Sequence, residues 1–475
     1  MNKEISVDLA IIGAGTAGIS AFKEASKITD KIVLIDHGPL GTTCARVGCM
    51  PSKTLIQVAD YFYSRTHFSE VGIKGADKLS INIPEVMAHV RTLRDDFTSG
   101  TIKFLESLGE RFIIGNAELS DINQIKVNQK KIIAKSIIIA TGTTSVVPEN
   151  WNVFSECVLT TENIFEQESF QKKIAVVGGG PIGIELGQAL SRLGVEIEVF
   201  HSHDFIAALS DPIVNKYLLQ YFQKEFPIHL NYEAIVEKEK ESLIVKRGDY
   251  AYSAKQVIAA VGRKPNFSTL NLEKLGIKMD GSELPLYDPT TMQVQNLPIY
   301  IAGDVDKVRP LLHEAADEGR IAGYNAVRKT KHCFVRRTPL MIVFSQPNIA
   351  IIGKSFNDLK NTDIAIGEIC FETQGRARIL SQNKGMLRIY ADRETGKLLG
   401  SEMAAPGGEH LAHLLAHAIQ QSMTVFEMLQ MPFYHPVLEE GMRSALRHLA
   451  SQVSNKNHKS FDLAMCDIDN IQKLI

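Results

Sequence analysis

Val7-Asp8-Leu9-Ala10-Ile11-Ile12-Gly13-Ala14-Gly15-Thr16-Ala17-Gly18 decides how the first part of this 475-residue chain folds. A short apolar run, read as a buried strand, enters Gly13-x-Gly15-x-x-Gly18. A helical pattern follows over residues 19–26, then a second strand over 31–35 that ends in Asp36. In such a unit the first glycine makes a tight turn and the second lets a pyrophosphate approach the backbone. The third lets helix and strand pack closely, and the helix N-terminus presents free N–H groups to phosphate. Asp36 stands where a carboxylate hydrogen-bonds a ribose hydroxyl. A lone glycine triplet is often a plain turn; strand, helix and distal acid together read as a dinucleotide site.

The pattern recurs. Residues 173–183 read Lys-Ile-Ala-Val-Val-Gly-Gly-Gly-Pro-Ile-Gly, a second buried strand with Gly178, Gly180 and Gly183. Two such units imply two dinucleotides and electron transfer between them. Asp36 lies 18 residues past Gly18; the same offset from Gly183 falls on His201, followed by Ser202 and His203. No carboxylate is there to hold a 2′-hydroxyl or repel a 2′-phosphate. Histidine and serine can donate to a phosphate, or these are ordinary exposed loop residues.

Between the units stands Gly41-Thr42-Thr43-Cys44-Ala45-Arg46-Val47-Gly48-Cys49-Met50-Pro51-Ser52-Lys53. Five positions is not a helix-face spacing, but Gly48 and Pro51 can bend the chain to bring Cys44 and Cys49 together, with a helix starting near Pro51. Two buried, reduced thiols would be the plain reading; the neighbouring dinucleotide units favour a redox pair.

Further along, helices are expected over residues 54–63 and 83–108, and a strand over 131–140 leads into Thr141-Gly142. Buried strands at 257–261 and 299–304 end in Val261-Gly262-Arg263 and in Asp304, a carboxylate at the strand end where such sheets bind ligands. The run 237–241 reads as a solvated hairpin edge. Beyond about Arg336, short strands (342–344, 350–352, 370–373, 386–391, 398–403) and then helices mark a separate α+β domain. His410, His413 and His417 share a helical face but sit among leucines and alanines, so an interface or partly buried helix is expected there instead of a metal site. His435 lies five residues before Glu440, and a base oriented by a carboxylate is what thiol–disulfide exchange needs.

Composition bounds the rest. Hydrophobic residues make up 44% and charged residues 22%, as in ordinary soluble proteins. A net charge of −2 gives no reason to expect nucleic acid or an acidic membrane as partner. The first residues lack the apolar core of a signal peptide, no run is long enough to span a membrane, and six cysteines do not make a disulfide scaffold, so a cytoplasmic enzyme is expected.

Taken together, these motifs resemble the FAD-dependent pyridine nucleotide–disulfide oxidoreductases, which include dihydrolipoamide dehydrogenase, glutathione reductase and mercuric reductase. The resemblance spans nearly the whole chain. It implies an α/β fold of two Rossmann-like dinucleotide-binding domains (FAD and NAD(P)) plus a C-terminal α+β dimerisation domain. The implied layout is an FAD-binding domain in two parts (1–147 with the redox disulfide, and 265–335), an NAD(P)-binding domain (148–264), a dimerisation domain (336–455) and a tail (456–475). Gly13, Gly15, Gly18, Asp36, Thr141, Gly142 and Asp304 would hold FAD. Gly178, Gly180, Gly183, Glu185, His201 and Gly262 would serve the nicotinamide side, with Lys53 and Glu185 near the flavin–nicotinamide contact. Cys49 would lie against the flavin and Cys44 would exchange with substrate. His435 of the other copy in a homodimer, oriented by Glu440, would move the proton. Pro51-Ser52-Lys53 and a tail with only Cys466 make dihydrolipoamide dehydrogenase the best fit within the family, acting on a lipoyl-bearing protein or a small disulfide. The alternatives are an NADPH-dependent reductase of another disulfide, a quinone or diaphorase activity, or, in a different class, a carrier that binds FAD without turnover. Thr42, Arg46, Val437 and His201 depart from the family pattern.

Overall fold

The computed structural model describes residues 3–281, 284–454 and 463; the expected tail at 456–475, Cys466 included, lies outside the described residues except for position 463. The chain divides into two compact units: 1–58, 81–170 and 259–336 form one, and 59–80, 171–258 and 337–475 the other.

The first unit is built on a sheet whose parallel centre runs Ile299–Ile301, Lys130–Ile139, Lys3–Ile12, Ile32–Asp36, Phe112–Ile114. Its strands are apolar and buried over residues 9–12, 32–35 and 137–139, where both faces are covered. Leu9, Ile11 and Leu34 face one core, and Ala10, Ile12, Val33 and Ile35 the other. The helix Thr16–Ala25 covers the first face and is crossed there by the helix Leu312–Ala326. That crossing is unusually close. A Cβ on Gly319 would sit 2.1 Å from the carbonyl oxygen of Ala17, and one on Gly323 2.4 Å from that of Ala21. The helix expected at 19–26 begins three residues earlier, directly on the glycine turn, with Gly15 as its N-cap. The expected helix at 54–63 spans Cys49–Ser64, so Cys49 is its first residue.

The second unit holds the second glycine motif. Ile228–His229, Glu196–Phe200 and Lys173–Val177 run parallel in that order, and Pro181–Arg192 follows the motif as a helix. A three-stranded meander follows, Ile235–Glu239, Ser242–Arg247 and Tyr250–Ala254, and the solvated hairpin edge expected at 237–241 covers the exposed end of its first strand and the turn after it. The C-terminal part is an antiparallel sheet in the order Leu340–Val343, Asn348–Gly353, Leu398–Ala405, Met386–Asp392, Ile364–Cys370. The helices Gly408–Gln420, Val425–Leu429 and Glu439–Ala450 close over Ile352, Leu387, Met403, Leu411 and Leu446. The strand expected at 370–373 lies instead at Ile364–Cys370, where Gly367 lets the helix Glu439–Ala450 approach; a Cβ there would meet the Ala445 carbonyl oxygen at 2.1 Å.

Buried charge is paired in both units. In the second, Asp211 (0% exposed) accepts from Arg388 Nη1 at 2.5 Å and from the Tyr390 hydroxyl at 2.8 Å. In the first, Glu318 accepts from Arg336 (2.7 Å) and from the N–H of Gly303 (2.7 Å). Burial, helped by the neighbouring Asp306, outweighs these bonds and pushes the Glu318 carboxyl up to about 7. A carboxyl whose folded pKa exceeds its unfolded value of about 4.3 contributes stability that is full below that value and lost as pH rises through the folded one. The thermal midpoint of the protein is therefore expected to fall between about pH 5 and about pH 7.5, and Glu318→Gln to flatten that slope by on the order of 3 kcal/mol. Parallel slopes for the two proteins would remove Glu318 as the cause.

Candidate active site and its relatives

Four loops meet outside the carboxyl ends of the first unit's parallel strands, where open α/β sheets bind ligands. Gly13, at φ +107°, lies so close to the loop after Lys130–Ile139 that a Cβ would be 2.1 Å from the Ala140 carbonyl oxygen. A Cβ on Gly18 would be 1.8 Å from the Gly13 oxygen, and one on Gly303 2.8 Å from Ala17 Cβ. The protein itself therefore requires glycine at 13 and 18. Gly15 differs. Its φ is −77° and a Cβ would meet nothing within 4 Å, so the protein itself does not require glycine there. Asp36 accepts the Ala14 N–H (2.6 Å) on one carboxylate oxygen and the Gly38 N–H (2.7 Å) on the other.

Thr141 and Gly142 lie on the same rim. The Thr141 hydroxyl is buried with no hydrogen-bond partner, and Gly142 takes φ +64° with open space beside it. Asp304 follows Gly303, and burial pushes its carboxyl up against the pull of Arg263. Gly262 takes φ +119°, and its carbonyl accepts the Val146 N–H at 2.9 Å. Sequence reasoning passed over what Arg263 does. Its guanidinium donates to the hydroxyls of Thr143, Ser145 and Thr161, to the Thr143 carbonyl and to Glu162, binding the strands Thr143–Ser145 and Arg263–Pro265 at the rim. Five donors on one planar fork make arginine suited to that work, a property that no local motif announces.

Cys44 and Cys49 are both in the thiol form in the structure. Cys44 sits in the short helix Thr43–Arg46, and Gly48 passes over it; a Cβ there would be 3.2 Å from Cys44 Cα. Thr42 caps that helix by accepting the Ala45 N–H at 3.2 Å. Arg46 ties the loop back by donating to the Leu40 carbonyl at 2.6 Å. A hydrogen bond to Cys49, with burial added, holds the Cys44 thiol far above the ordinary thiol range, while the charge of Lys53 pulls the other way. Such a thiol needs a base to take its proton.

In the second unit, Gly178 takes φ +109° and Gly180, at φ −72°, again has open space where a Cβ would lie. Gly183 and Glu185 fall in the buried part of the helix Pro181–Arg192, and Glu185 accepts the Phe344 N–H at 2.8 Å. His201 lies beside the loop, with its Nδ1 accepting the Gly179 N–H at 3.1 Å. Elsewhere in this unit His435 Nδ1 donates to both oxygens of Glu440 (2.9 and 3.1 Å), which also accepts the Val437 N–H at 3.2 Å. Glu440 stands in the first turn of its helix, and its bond to His435 holds its carboxyl below the usual range. With Nδ1 so engaged, His435 Nε2 is left facing outward on a ring that is 82% exposed. Among the histidines at 410, 413 and 417, His413 bonds the Glu409 carbonyl at 2.6 Å, and the described residues hold no cluster of three or more metal-ligating groups. Among the described residues no helix is long and apolar enough to cross a membrane.

The model of the pyridine nucleotide-disulphide oxidoreductases matches residues 7–319, and that of their dimerisation domain matches 340–446. The chain belongs to this family. It is 27% identical to a dihydrolipoyl dehydrogenase of Bacillus subtilis over 450 residues, covering 92% of this chain and 95% of that protein. It is also 27% identical to a mercuric reductase of Staphylococcus aureus over 464 residues, covering 95% and 84%. Among solved structures, LpdA from Mycobacterium tuberculosis matches with a TM-score of 0.81 at 26% identity, over 93% of this chain and all of that one. The flavoprotein disulfide reductase RclA from Escherichia coli matches at TM-score 0.80 and 19% identity, a likeness of fold. The chain is thus an FAD-dependent flavoprotein disulfide oxidoreductase that uses a pyridine nucleotide.

The first unit's rim fits FAD on its own evidence: the unfilled space at Gly15, the unpartnered Thr141 hydroxyl and the Asp36 carboxylate. Gly15→Ala is expected to leave the apoprotein's thermal midpoint within about 1 °C and to lose bound FAD. Gly18→Ala is expected to lower the midpoint itself by several degrees, about 2–4 °C for each kcal/mol lost in a large domain. Stoichiometric flavin absorbance in purified Gly15→Ala would overturn that assignment.

Proposed function

We propose that this enzyme oxidises dihydrolipoamide to lipoamide through a Cys44–Cys49 disulfide and FAD, with NAD(P)+ as final acceptor. The observation that carries the reading is that the two thiols of Cys44 and Cys49 meet in one loop, in a chain that also builds a carboxylate-oriented histidine. Gly13, Gly15, Gly18, Asp36, Thr141, Gly142 and Asp304 would hold FAD. Gly178, Gly180, Gly183, Glu185, His201 and Gly262 would serve the nicotinamide side. FAD, when bound, carries two electrons from the dithiol to the nicotinamide.

The chain's own residues do the rest. One substrate thiolate attacks Cys44 Sγ, breaking the Cys44–Cys49 bond and leaving a mixed disulfide and a Cys49 thiolate. The second substrate sulfur attacks the first, closes the lipoamide ring and releases Cys44. His435 Nε2, supplied by the second copy of a homodimer, takes the substrate proton and returns one to Cys44, while Glu440 holds the ring and steadies its charged form. The position of His201, where no acid excludes a 2′-phosphate, favours one second reading, an NADPH-dependent reductase of another disulfide.

Anaerobic titration of the purified protein with NADH and NADPH separately, then with oxidised lipoamide, tests the choice. The long-wavelength thiolate–flavin band should appear on reduction and vanish with lipoamide; reduction by NADPH alone, with no reoxidation by lipoamide, would move the protein to the second reading. Cys44→Ser is expected to retain FAD and lose lipoamide turnover, so that persisting turnover would sink the role of Cys44. His435→Gln should cost about 10²–10⁴ in kcat.

A further inference from the structure

The two glycine loops are held by the same backbone bonds. Gly13 N–H donates to the Ile35 carbonyl at 2.7 Å, and Gly178 N–H to the Phe200 carbonyl at 2.8 Å. The next amide differs in its acceptor. Ala14 N–H goes to the Asp36 carboxylate at 2.6 Å, whereas Gly179 N–H goes to His201 Nδ1 at 3.1 Å. His201 therefore stands in the place of Asp36.

The exchange alters what that place can do for a ribose. Asp36 keeps lone pairs and a negative charge after its two backbone bonds. The single lone pair of His201 Nδ1 is spent on Gly179, and Nε2–H is given to the Phe205 carbonyl at 3.0 Å. An imidazole accepting at one nitrogen and donating at the other is neutral, and its burial keeps its pKa below the ordinary histidine value. The His201 side chain neither accepts from a 2′-hydroxyl nor repels a 2′-phosphate.

A cation stands close by. The His201 N–H donates to the His229 carbonyl (2.8 Å) on the next strand, and Tyr232 N–H returns to the His201 carbonyl (3.3 Å). Arg247 lies with its guanidinium 4.3 Å from the Tyr232 ring centre and 3.0 Å from His229 Nδ1. It ends the strand Ser242–Arg247 at the tip of the meander, and its Nε–H is buried without an acceptor. Two acids lie nearby and keep their charge: Glu198, which bonds the opposite nitrogen of His229 (2.8 Å) and the Tyr250 hydroxyl (2.9 Å), and Asp204, which accepts from Asn231 (2.6 Å).

We infer that the second dinucleotide unit takes a 2′-phosphorylated dinucleotide, with Arg247 as the phosphate's counter-charge and His201 as the residue that admits it. The inference rests on the reading that this unit binds the nicotinamide nucleotide, and the probes separate the two. Calorimetry of the holoenzyme with 2′,5′-ADP and with 5′-AMP compares ligands that differ by the 2′-phosphate alone. The wild type should bind 2′,5′-ADP at least about 10-fold tighter, as one charge-assisted contact implies. Arg247→Gln should weaken 2′,5′-ADP by about 10–100-fold and leave 5′-AMP within about 2-fold, with Arg247→Lys restoring part of the loss. His201→Asp, a change for which Asp36 is the internal template, should reverse the preference. Equal or tighter binding of 5′-AMP by the wild type overturns the inference while the nucleotide reading stands. An equal loss of both ligands in Arg247→Gln, without rescue by lysine, assigns Arg247 a structural role and also overturns it. If neither probe binds, the nucleotide reading fails with it.

Discussion

The contact between the backbone at Gly13 and the carbonyl of Ala140 sets the geometry on which the first unit's site depends. No side chain fits there, since a Cβ would lie 2.1 Å from that oxygen. The neighbouring contacts obey the same constraint: Gly18 against the Gly13 carbonyl, Gly303 against Ala17, and Gly319 and Gly323 against the helix that Gly15 caps. Each leaves out a side chain so that two segments can pack closely, and those at 13, 18 and 303 draw three loops to one edge of the sheet. The N-terminus of the helix Thr16–Ala25 and the Asp304 carboxyl are brought to that edge by the convergence.

The second unit repeats the turn and varies its ending. Both glycine motifs require an acceptor for the amide after the first glycine, because a backbone N–H buried there without one would cost on the order of 1–3 kcal/mol. Carboxylate and imidazole both satisfy that demand, so the fold tolerates the exchange while the chemistry facing the ligand changes. Buried charge is handled with similar economy. Arg192, 6% exposed, is bonded to Asp60, Glu225 and Gln346 and stacked on Tyr63, and Glu402, fully buried, accepts the N–H groups of Ser210, Asp211 and Phe356. Removing one member of such a set would strand its partners in a medium that does not solvate them.

What could be read in the chain beforehand was whatever local spacing encodes. The glycine triplets, Asp36, the absence of an acid at His201, the cysteine loop and the His435–Glu440 pair all rest on short separations or on fixed offsets within one supersecondary unit. What escaped depends on distant partners. Arg263 reaches Thr143 and Thr161 more than a hundred residues away, Glu318 matters because Gly303 and Arg336 converge on it, and Gly319 and Gly323 matter because of Ala17 and Ala21. The strand Ile364–Cys370 was placed too late, since its central Gly367 has no side chain to mark the alternation and is explained by a helix nearly eighty residues further on. Helix starts shifted for a related reason: Thr16 and Cys49 lie within turns whose glycines hide the onset of the helix.

The exposure of His435 bears on how the proposed site is completed. An ion pair in open water contributes about 0–1 kcal/mol, and a ring 82% exposed is held only weakly by Glu440. Tyr434 beside it is 80% exposed, and both lie within the segment matched by the dimerisation domain. A covered surface would strengthen the His435–Glu440 bond by excluding water, fix the direction of Nε2 and bury the tyrosine. Cys44, whose thiol does not ionise readily without help, presents the complementary need. A base that is weakly oriented until covered and a thiol that requires a base are the two needs a second copy would meet in the proposed reaction, beyond its contribution to stability.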